Sequence, residues 1–110
     1  MERFSEYRVM WVFVFFDLPT ETKKERKLYS EFRKMLLNDG FIMFQYSIYM
    51  RHCQSKENAD VHIKRVKAAL PPSGEVGLVA VTDKQFGSME LFRARKVVSK
   101  NQPCLQLELF

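Results

Sequence analysis

Apolar and polar residues alternate along the chain with a period that changes from one segment to the next. The first segment, Val9–Phe16, is an unbroken apolar run rich in β-branched and aromatic residues, which predicts a central strand buried on both faces. Asp17 ends this run, and Pro19 follows two residues later. The Asp17 carboxylate is therefore predicted to lie in the loop at the carboxyl end of the strand, where ligand sites of helix-covered sheets gather.

Two later segments have the 3.6-residue period of amphipathic helices. The first begins with a capping-box pattern from Thr22 to Glu25 and ends at the turn signal 38–40. The second begins at Ser55, a capping residue, and ends before the proline pair at 71–72. Their apolar stripes consist of Leu28, Phe32, Met35 and Leu36 in the first helix and of Ala59, Ile63, Val66 and Leu70 in the second.

Two further segments predict strands. Residues 41–51 are continuously apolar at first and alternate from Phe44 onward, which predicts a bulge or bend near Phe44–Gln45 and hence either one bent strand or two strands. The residues predicted on one face are Phe44, Tyr46, Ile48 and Met50, and those on the other are Gln45, Ser47, Tyr49 and Arg51. The segment Glu75–Thr82 predicts another buried strand.

The order of these elements predicts the fold class. With the bent strand counted as a pair, the chain is α+β with the ferredoxin-like order βαββαβ, in which two helices cover one face of an antiparallel sheet. We expect a single domain over residues 1–110. An extra strand is predicted at about 103–109, where Leu105, Leu107 and Leu109 alternate with polar residues after Pro103. This strand must pair with an exposed sheet edge, and we expect that edge to belong to the partner protomer of a homodimer.

The net charge of the chain indicates which class of binding partner it favours. The formal net charge is +5 and the isoelectric point is about 9.4, which favours polyanions. Helical basic runs are most often solvated polar faces, but in a dimer they would form two patches able to follow a nucleic-acid duplex. The arginines preferred as phosphate contacts, because guanidinium groups fork onto phosphate oxygens, are Arg26, Arg33, Arg93 and Arg95.

Other chemical signals are weak. The cysteines, Cys53 and Cys104, are far apart and form no Cys-x-x-Cys pair, so neither a zinc site nor a disulfide framework is predicted. No apolar run is long enough to span a membrane, and we expect a cytoplasmic protein. His52 and His62 lie on or near the second helix and are interpreted as solvated or structural. One of Tyr46 and Tyr49, on opposite strand faces, could be exposed for base stacking.

Three stretches in this order resemble the Cas-two family of CRISPR adaptation proteins, in the version found in type II systems: Phe16–Lys27, Gly40–Tyr49 and Val81–Phe86. The resemblance implies a ferredoxin-like homodimer in which Asp17 faces its symmetry mate. It also implies a metal-dependent nuclease of RNA or double-stranded DNA, and a complex with the Cas-one integrase that inserts new spacers. Family members often have tyrosine before this aspartate, where this chain has Phe16.

Asp17 is the predicted catalytic residue and metal ligand. A single carboxylate is a poor Mg²⁺ site, but two-fold symmetry supplies Asp17 twice, and a shared Mg²⁺ or Mn²⁺ ion would relieve the repulsion between the pair. Hydrolysis is expected to be slow because no general base is evident near Asp17. The alternative interpretation is that Asp17 makes an Asx-turn or caps the following helix.

Three functions from different classes are compatible with these patterns. The leading hypothesis is a dimeric double-stranded-DNA-binding scaffold for the integrase in CRISPR spacer acquisition, with a magnesium-dependent endonuclease site at paired Asp17. The alternative is a metal-dependent endoribonuclease or toxin-like nuclease whose main role is hydrolysis. A regulatory module that binds a small ligand is disfavoured by the basic helices and by the lack of a glycine-rich loop.

We predict that deleting the chain from Pro103 onward shifts the protein towards monomer or causes aggregation. Burial of each of the three tail leucines contributes roughly 1.5–3 kcal/mol, which is a large share of the stability of a small domain. Sedimentation of the full-length and truncated chains measures the effect. A soluble dimer after truncation would contradict the prediction.

Overall fold

The computed structural model describes residues 8–94 and the backbone of residues 96 and 97. Through residue 82 the elements follow the predicted order of strands and helices. They are β1 (Met10–Asp17), α1 (Lys23–Asn38), β2 (Ile42–Gln45), β3 (Ile48–Cys53), α2 (Lys56–Ala68), β4 (Glu75–Thr82), α3 (Asp83–Gly87), β5 (Phe92–Arg93) and β6 (Lys96–Val97). The predicted tail strand at 103–109 lies outside the described residues, and the extent of the domain over 1–110 stays a prediction.

The first four strands form one antiparallel sheet in the order β2-β3-β1-β4. β1 lies between β3 and β4 and pairs with both, so that Phe13 is the partner of Met50 on one side and of Val79 on the other. This order, in which β3 separates β1 from β2, is the split arrangement of a ferredoxin-like domain. The predicted α+β ferredoxin-like fold is confirmed.

The two faces of the sheet are packed unequally. Alternate residues of β1 point to opposite faces, and the face towards the helices carries the larger buried cluster. This cluster includes Val12, Val14 and Phe16 of β1, Phe32 and Leu36 of α1, and Ala59 and Val66 of α2. The opposite face has a smaller cluster of Phe13, Phe44, Met50 and Phe86. Because only α3 and the segment after it cover this second face among the described residues, part of it stays exposed there.

The ends of α1 are set by hydrogen bonds that the sequence predicts. Thr22 Oγ1 accepts from the Glu25 amide at 3.1 Å, and Glu25 Oε1 accepts from the Thr22 amide at 2.9 Å. At the other end, the Gly40 amide donates to Leu37 O and the Phe41 amide donates to Leu36 O, which is the pattern of a Schellman motif. Gly40 has a φ of 89°, a conformation that favours glycine. Ser55 likewise caps α2 by accepting from the Asn58 amide at 3.0 Å.

The predicted alternation from Phe44 to Arg51 is wrong at its centre. β2 ends at Gln45, β3 begins at Ile48, and Tyr46 and Ser47 form the turn between them. Tyr46 is therefore a turn residue and not a strand residue on the face of Met50. The register shift between Met43 and Gln45 confirms the predicted bulge, and the segment is confirmed as two strands.

The description of β4 as a buried strand is also wrong. Within the four-stranded sheet β4 is an edge strand next to β1, and Val79 is 45% exposed on the face away from the helices. The sequence pattern did not predict α3, which starts at a second capping box between Thr82 and Gln85. Trp11 holds α3 against the sheet, since its ring stacks on Phe86 at a centroid distance of 4.2 Å.

Asp39, at the end of α1, connects three elements through a partly buried network. His62 Nδ1, from α2, donates to Asp39 Oδ2 at 2.8 Å, and Arg65 Nη1 donates to Asp39 Oδ1 at 2.7 Å. Arg51 Nε, from β3, donates to the Asp39 carbonyl at 2.8 Å. His62 is only 4% exposed, which confirms its interpretation as a structural residue. Burial of the Asp39 carboxyl favours its neutral form, but the hydrogen bonds and charges of His62 and Arg65 outweigh burial and lower its pKa.

We predict that Asp39→Asn lowers the free energy of unfolding by about 1–3 kcal/mol at neutral pH, because a buried donor loses its carboxylate partner. The folded-state pKa of Asp39 is depressed, so its contribution is fully present above the unfolded-state pKa of about 3.9. The contribution disappears as the pH falls through the folded-state pKa. Denaturant unfolding over a series of pH values measures the difference.

Asp60→Asn is the matched control, because Asp60 is an exposed acid on the same helix as His62. It removes one carboxylate outside the network and is expected to leave stability nearly unchanged. Equal stability of the wild-type and Asp39→Asn proteins at neutral pH would show that the network contributes nothing.

Candidate functional site

Asp17 is the last residue of β1 and is exposed. Its Cα partner across the sheet is Glu75, the first residue of β4, which is also exposed. The alternation along β1 puts Asp17 on the face of Phe13 and Phe15, away from the helices. The prediction that Asp17 leaves the core at the strand end is confirmed. Thr22 caps α1, so the interpretation of Asp17 as the helix cap is wrong, whereas an Asx-turn at Asp17 stays a prediction.

Three segments converge on Asp17 and form an open groove of about 460 Å³. The end of β1, the turn between β2 and β3, and the start of β4 contribute its lining residues, which are Phe15, Phe16, Asp17, Tyr46, Ser47, Ile48, Glu75, Val76 and Gly77. Apolar side chains dominate the lining, and the two carboxylates are its acidic groups. The groove therefore combines a surface that can accept a planar apolar group with a pair of acidic oxygen ligands.

Backbone contacts fix these segments relative to one another. The Phe16 amide donates to the Ser47 carbonyl at 3.0 Å, which ties the turn to the residue before Asp17. Gly74 has a φ of 88°, and a Cβ at this position would lie 2.7 Å from the Asp17 carbonyl oxygen. Only glycine therefore allows the chain to pass so close to Asp17 and to place Glu75 opposite it.

Glu75 is the site residue that the sequence analysis missed. The pattern of Glu75–Thr82 predicted a strand, but the alternation of one strand carries no information about its pairing register with another. The sequence signal that points to Glu75 is the βαββαβ order, because this order puts the start of the last strand beside the end of the first.

Phe16 does not contribute to the chemistry of the groove through its ring. The ring is buried on the helix side, stacked on Tyr49 at 5.7 Å and edge-on to Phe32 at 5.2 Å. The residues with hydroxyl groups that line the groove are Tyr46 and Ser47. On the helix side, burial raises the pKa of Tyr29, and the neighbouring Ser47 and Tyr46 side chains modulate it. The turn therefore lies close to α1.

One chain by itself offers a sparse metal site. Within the part of the chain that the structure describes, no three or more His, Cys, Asp or Glu residues come together in a group that could hold a metal ion. Asp17 and Glu75 are carboxylates, which suit Mg²⁺ and Mn²⁺, and Mg²⁺ commonly keeps several water ligands. Two facing copies of the pair would supply four carboxylates, a set of oxygen ligands that suits such an ion.

The four candidate arginines have different surroundings. Arg26 is exposed at the start of α1, and its Nη1 donates to the carbonyls of Thr20 and Glu21 at 3.2 and 2.9 Å. Arg33 is half-buried, and its Nε donates at 2.8 Å to the hydroxyl of Tyr49, whose side chain is buried in the core. Arg93 is exposed in β5, and Arg95 lies outside the described residues. Their role as phosphate contacts stays a prediction.

A second open groove, of about 720 Å³, runs along α1. Its lining carries five cations and one acid, and consists of Lys23, Lys24, Arg26, Lys27, Ser30, Glu31 and Lys34. None of the α1 cations forms an ion pair with another residue of the described chain. This surface, here called the α1 basic groove, concentrates positive charge on one side of the domain.

The fold and the site together define a class of protein. The chain is a ferredoxin-like α+β domain with an exposed aspartate at the end of its first strand and a basic first helix. The model of the family described as CRISPR associated protein Cas2 matches residues 10–89. The chain belongs to this family, which confirms the resemblance to the Cas-two family.

Curated relatives extend the similarity over nearly the whole chain. A protein of Flavobacterium psychrophilum named CRISPR-associated endoribonuclease Cas2 is 60% identical over 108 residues, covering 98% of this chain and 94% of the relative. A protein of the same name from Parvibaculum lavamentivorans is 52% identical, covering 92% of this chain and all of the relative. One from Ligilactobacillus salivarius is 44% identical, covering 80% and 87% respectively.

No helix among the described residues has both the length and the apolar character needed to cross a membrane.

Proposed function

We propose that the chain functions in CRISPR adaptation as a homodimeric scaffold that binds double-stranded DNA for the Cas-one integrase. The observation that carries this proposal is the α1 basic groove, in which five cations share one exposed surface without ion pairs in the described chain. Lysines and arginines on such a surface neutralise phosphates and release counterions, which supplies affinity without reading bases. Sequence-independent binding suits the capture of foreign DNA of any sequence.

Dimerisation is supported by the exposed part of the sheet. On the face away from the helices, Phe15 is 47% exposed, Val79 is 45% exposed and Ile42 is 38% exposed. Large apolar side chains that share an exposed face mark an interaction surface. A second copy of this chain on that face would cover them, double the α1 basic groove and bring two Asp17 carboxylates towards each other.

A metal-dependent endoribonuclease or toxin-like nuclease is the second candidate. It is favoured by the names of the relatives and by the pairing of Asp17 with Glu75 beside an open groove. In this function the two carboxylates of each protomer would hold Mg²⁺ or Mn²⁺. Such an ion would polarise a phosphate and lower the pKa of a bound water. Asp17 would act as the residue that fixes the ion, and Glu75 would complete the acidic pair.

We predict that Asp17→Asn abolishes metal-dependent cleavage of RNA or DNA, because it keeps the shape of the side chain but removes the charge that holds the ion. Glu75→Gln is expected to raise the metal concentration required. Cleavage assays over a Mg²⁺ and Mn²⁺ titration measure both effects, with Asp60→Asn as the exposed-acid control. Cleavage that persists in Asp17→Asn or in EDTA would contradict the site.

The same variant separates the two functions in cells. A scaffold carrying Asp17→Asn is expected to support spacer acquisition at the wild-type level, whereas a protein whose role is hydrolysis would lose acquisition together with cleavage. Counting new spacers in cells that express the integrase gives the answer.

We also predict that Arg26→Gln combined with Arg33→Gln weakens binding to all duplexes alike. For every phosphate that is no longer neutralised, the slope of log affinity against log salt should flatten by about 0.9. Binding of a spacer-length duplex is measured over a salt series with and without the integrase, so that weak binding by the dimer alone does not hide the effect. Arg93→Gln with Arg95→Gln tests the second pair.

Two controls separate phosphate binding from structural damage. Tyr49→Phe removes the hydroxyl that Arg33 Nε contacts but keeps the charge of Arg33. Lys56→Gln removes one charge at the start of α2, at the other end of the sheet from the start of α1, because β3 runs antiparallel to β1. Both controls should keep the wild-type slope. A preference for one base sequence, or no response to removal of all four arginines, would overturn the proposed DNA surface.

A further inference from the structure

Tyr46 is the most exposed of the large hydrophobic side chains in the described chain, at 65%. It belongs to the two-residue turn between β2 and β3 and lines the same groove as Asp17 and Glu75. A single exposed aromatic residue is common on protein surfaces and needs no explanation by itself. Because Tyr46 lies beside Asp17 and Glu75, however, its exposed ring would contact a ligand bound at the candidate site.

The turn that carries Tyr46 is held in an uncommon conformation. Ser47 has a φ of 63°, a region that residues other than glycine rarely adopt. Such strain persists where surrounding contacts enforce it, and here the Phe16 amide donates to the Ser47 carbonyl at 3.0 Å. The turn is thereby fixed relative to the end of β1, so that the distance from Tyr46 to Asp17 is set by the backbone.

Tyr29, from α1, is a neighbour of both Tyr46 and Ser47: burial raises the pKa of Tyr29, and these two side chains modulate it. The ring of Tyr29 is itself packed edge-on against Phe16 at 5.8 Å. Tyr46 therefore lies beside a packed aromatic side chain while most of its own surface stays open to solvent, as a stacking surface requires.

The side chains that line the groove indicate which kind of chemical group would stack on Tyr46. Phe15 and Ile48 give the lining an apolar character, and Asp17 and Glu75 add negative charge. An uncharged planar ring suits the apolar part, whereas a phosphate would need a cation beside the carboxylates. A nucleotide would place its base on Tyr46, and its phosphate would lie near Asp17 where the acidic pair holds a cation.

We propose that Tyr46 binds one unpaired nucleobase by stacking and thereby positions the adjoining phosphate of a single-stranded segment at Asp17. This inference deepens the proposed hydrolytic site and rests on it. Stacking is tolerant of base identity, because every base has a π-face. Tyr46 is accordingly a positioning residue that selects single-stranded over paired nucleic acid at this point.

The test measures binding in the Asp17→Asn background and in EDTA, so that cleavage plays no part. The probes are short single-stranded RNA and DNA oligonucleotides that each carry one 2-aminopurine, whose fluorescence is quenched when the base stacks. In this background, Tyr46→Ala is expected to weaken binding by about 5- to 150-fold and to abolish quenching. The RNA and DNA arms show which sugar the site accepts.

Companion variants distinguish stacking from other roles of Tyr46. Tyr46→Trp and Tyr46→Phe keep a ring and should keep the quenching, whereas Tyr46→Leu keeps apolar bulk without a π-system and should behave like Tyr46→Ala. Val61→Ala is the control for truncation of an exposed apolar side chain, since Val61 is 44% exposed on α2 and does not line the groove. It should bind like the parent protein.

Two further measurements test the stacking role of Tyr46 independently of the fluorescence signal. Removal of a stacking ring should leave the salt slope of single-strand binding unchanged, whereas removal of a cation that neutralises a phosphate flattens it by about 0.7. Replacing the 2-aminopurine nucleotide by an abasic one should remove the difference between Tyr46 and Tyr46→Ala proteins.

Unchanged binding and quenching in Tyr46→Ala would overturn the inference. So would a shift of oligomeric state in Tyr46→Ala that Tyr46→Leu restores, because Tyr46 would then be an interface residue. Stacking that survives without any cleavage by the wild-type protein would instead support the role of Tyr46 and refute hydrolysis at Asp17.

Discussion

The pairing register of β1 with its two neighbours is the constraint on which the rest of the structure depends. This register places Val12, Val14 and Phe16 towards the helices and Phe13 towards the smaller cluster. A slip by one residue would exchange the two sets of side chains and expose the larger core. The same register sets Asp17 opposite Glu75, so the packing of the core and the assembly of the groove are decided by one set of backbone hydrogen bonds.

Two aspartates at the ends of secondary-structure elements show how the surroundings of a carboxylate decide whether it serves the fold or a functional site. Asp39 is partly buried, and its carboxylate accepts hydrogen bonds from His62 and Arg65. The pKa of Asp39 is lowered because those partners favour its charged form. Asp17 is exposed at a strand end beside a second acid. The charge of Asp39 is satisfied within the protein, which makes it a structural residue. The negative charge of Asp17 lies beside that of Glu75, and this is the reason to expect a cation or a ligand there.

The domain separates negative and positive charge between two surfaces. The groove at Asp17 lies on the sheet face away from the helices, and the α1 basic groove lies on the opposite side, along the first helix. Such a distribution allows a nucleic-acid backbone to be held at one surface while the acidic pair faces another molecule. Arg33 shows that a cation in a helical run can also serve the fold, because its bond to Tyr49 joins α1 to the core.

Sequence alone determined the class of fold, the starts of both long helices, the end of α1, the bulge after Met43 and the position of Asp17 at a strand end. These features depend on local periodicity, capping residues and glycine conformation, which adjacent residues carry. Tertiary structure decided the turn at Tyr46–Ser47, the exposure of β4, the pairing of Asp17 with Glu75 and the use of Arg33 and His62 as internal partners. Alternation within one strand does not reveal its neighbours, and the charge of a side chain does not reveal which buried group it will meet, because both depend on contacts between residues far apart in the chain.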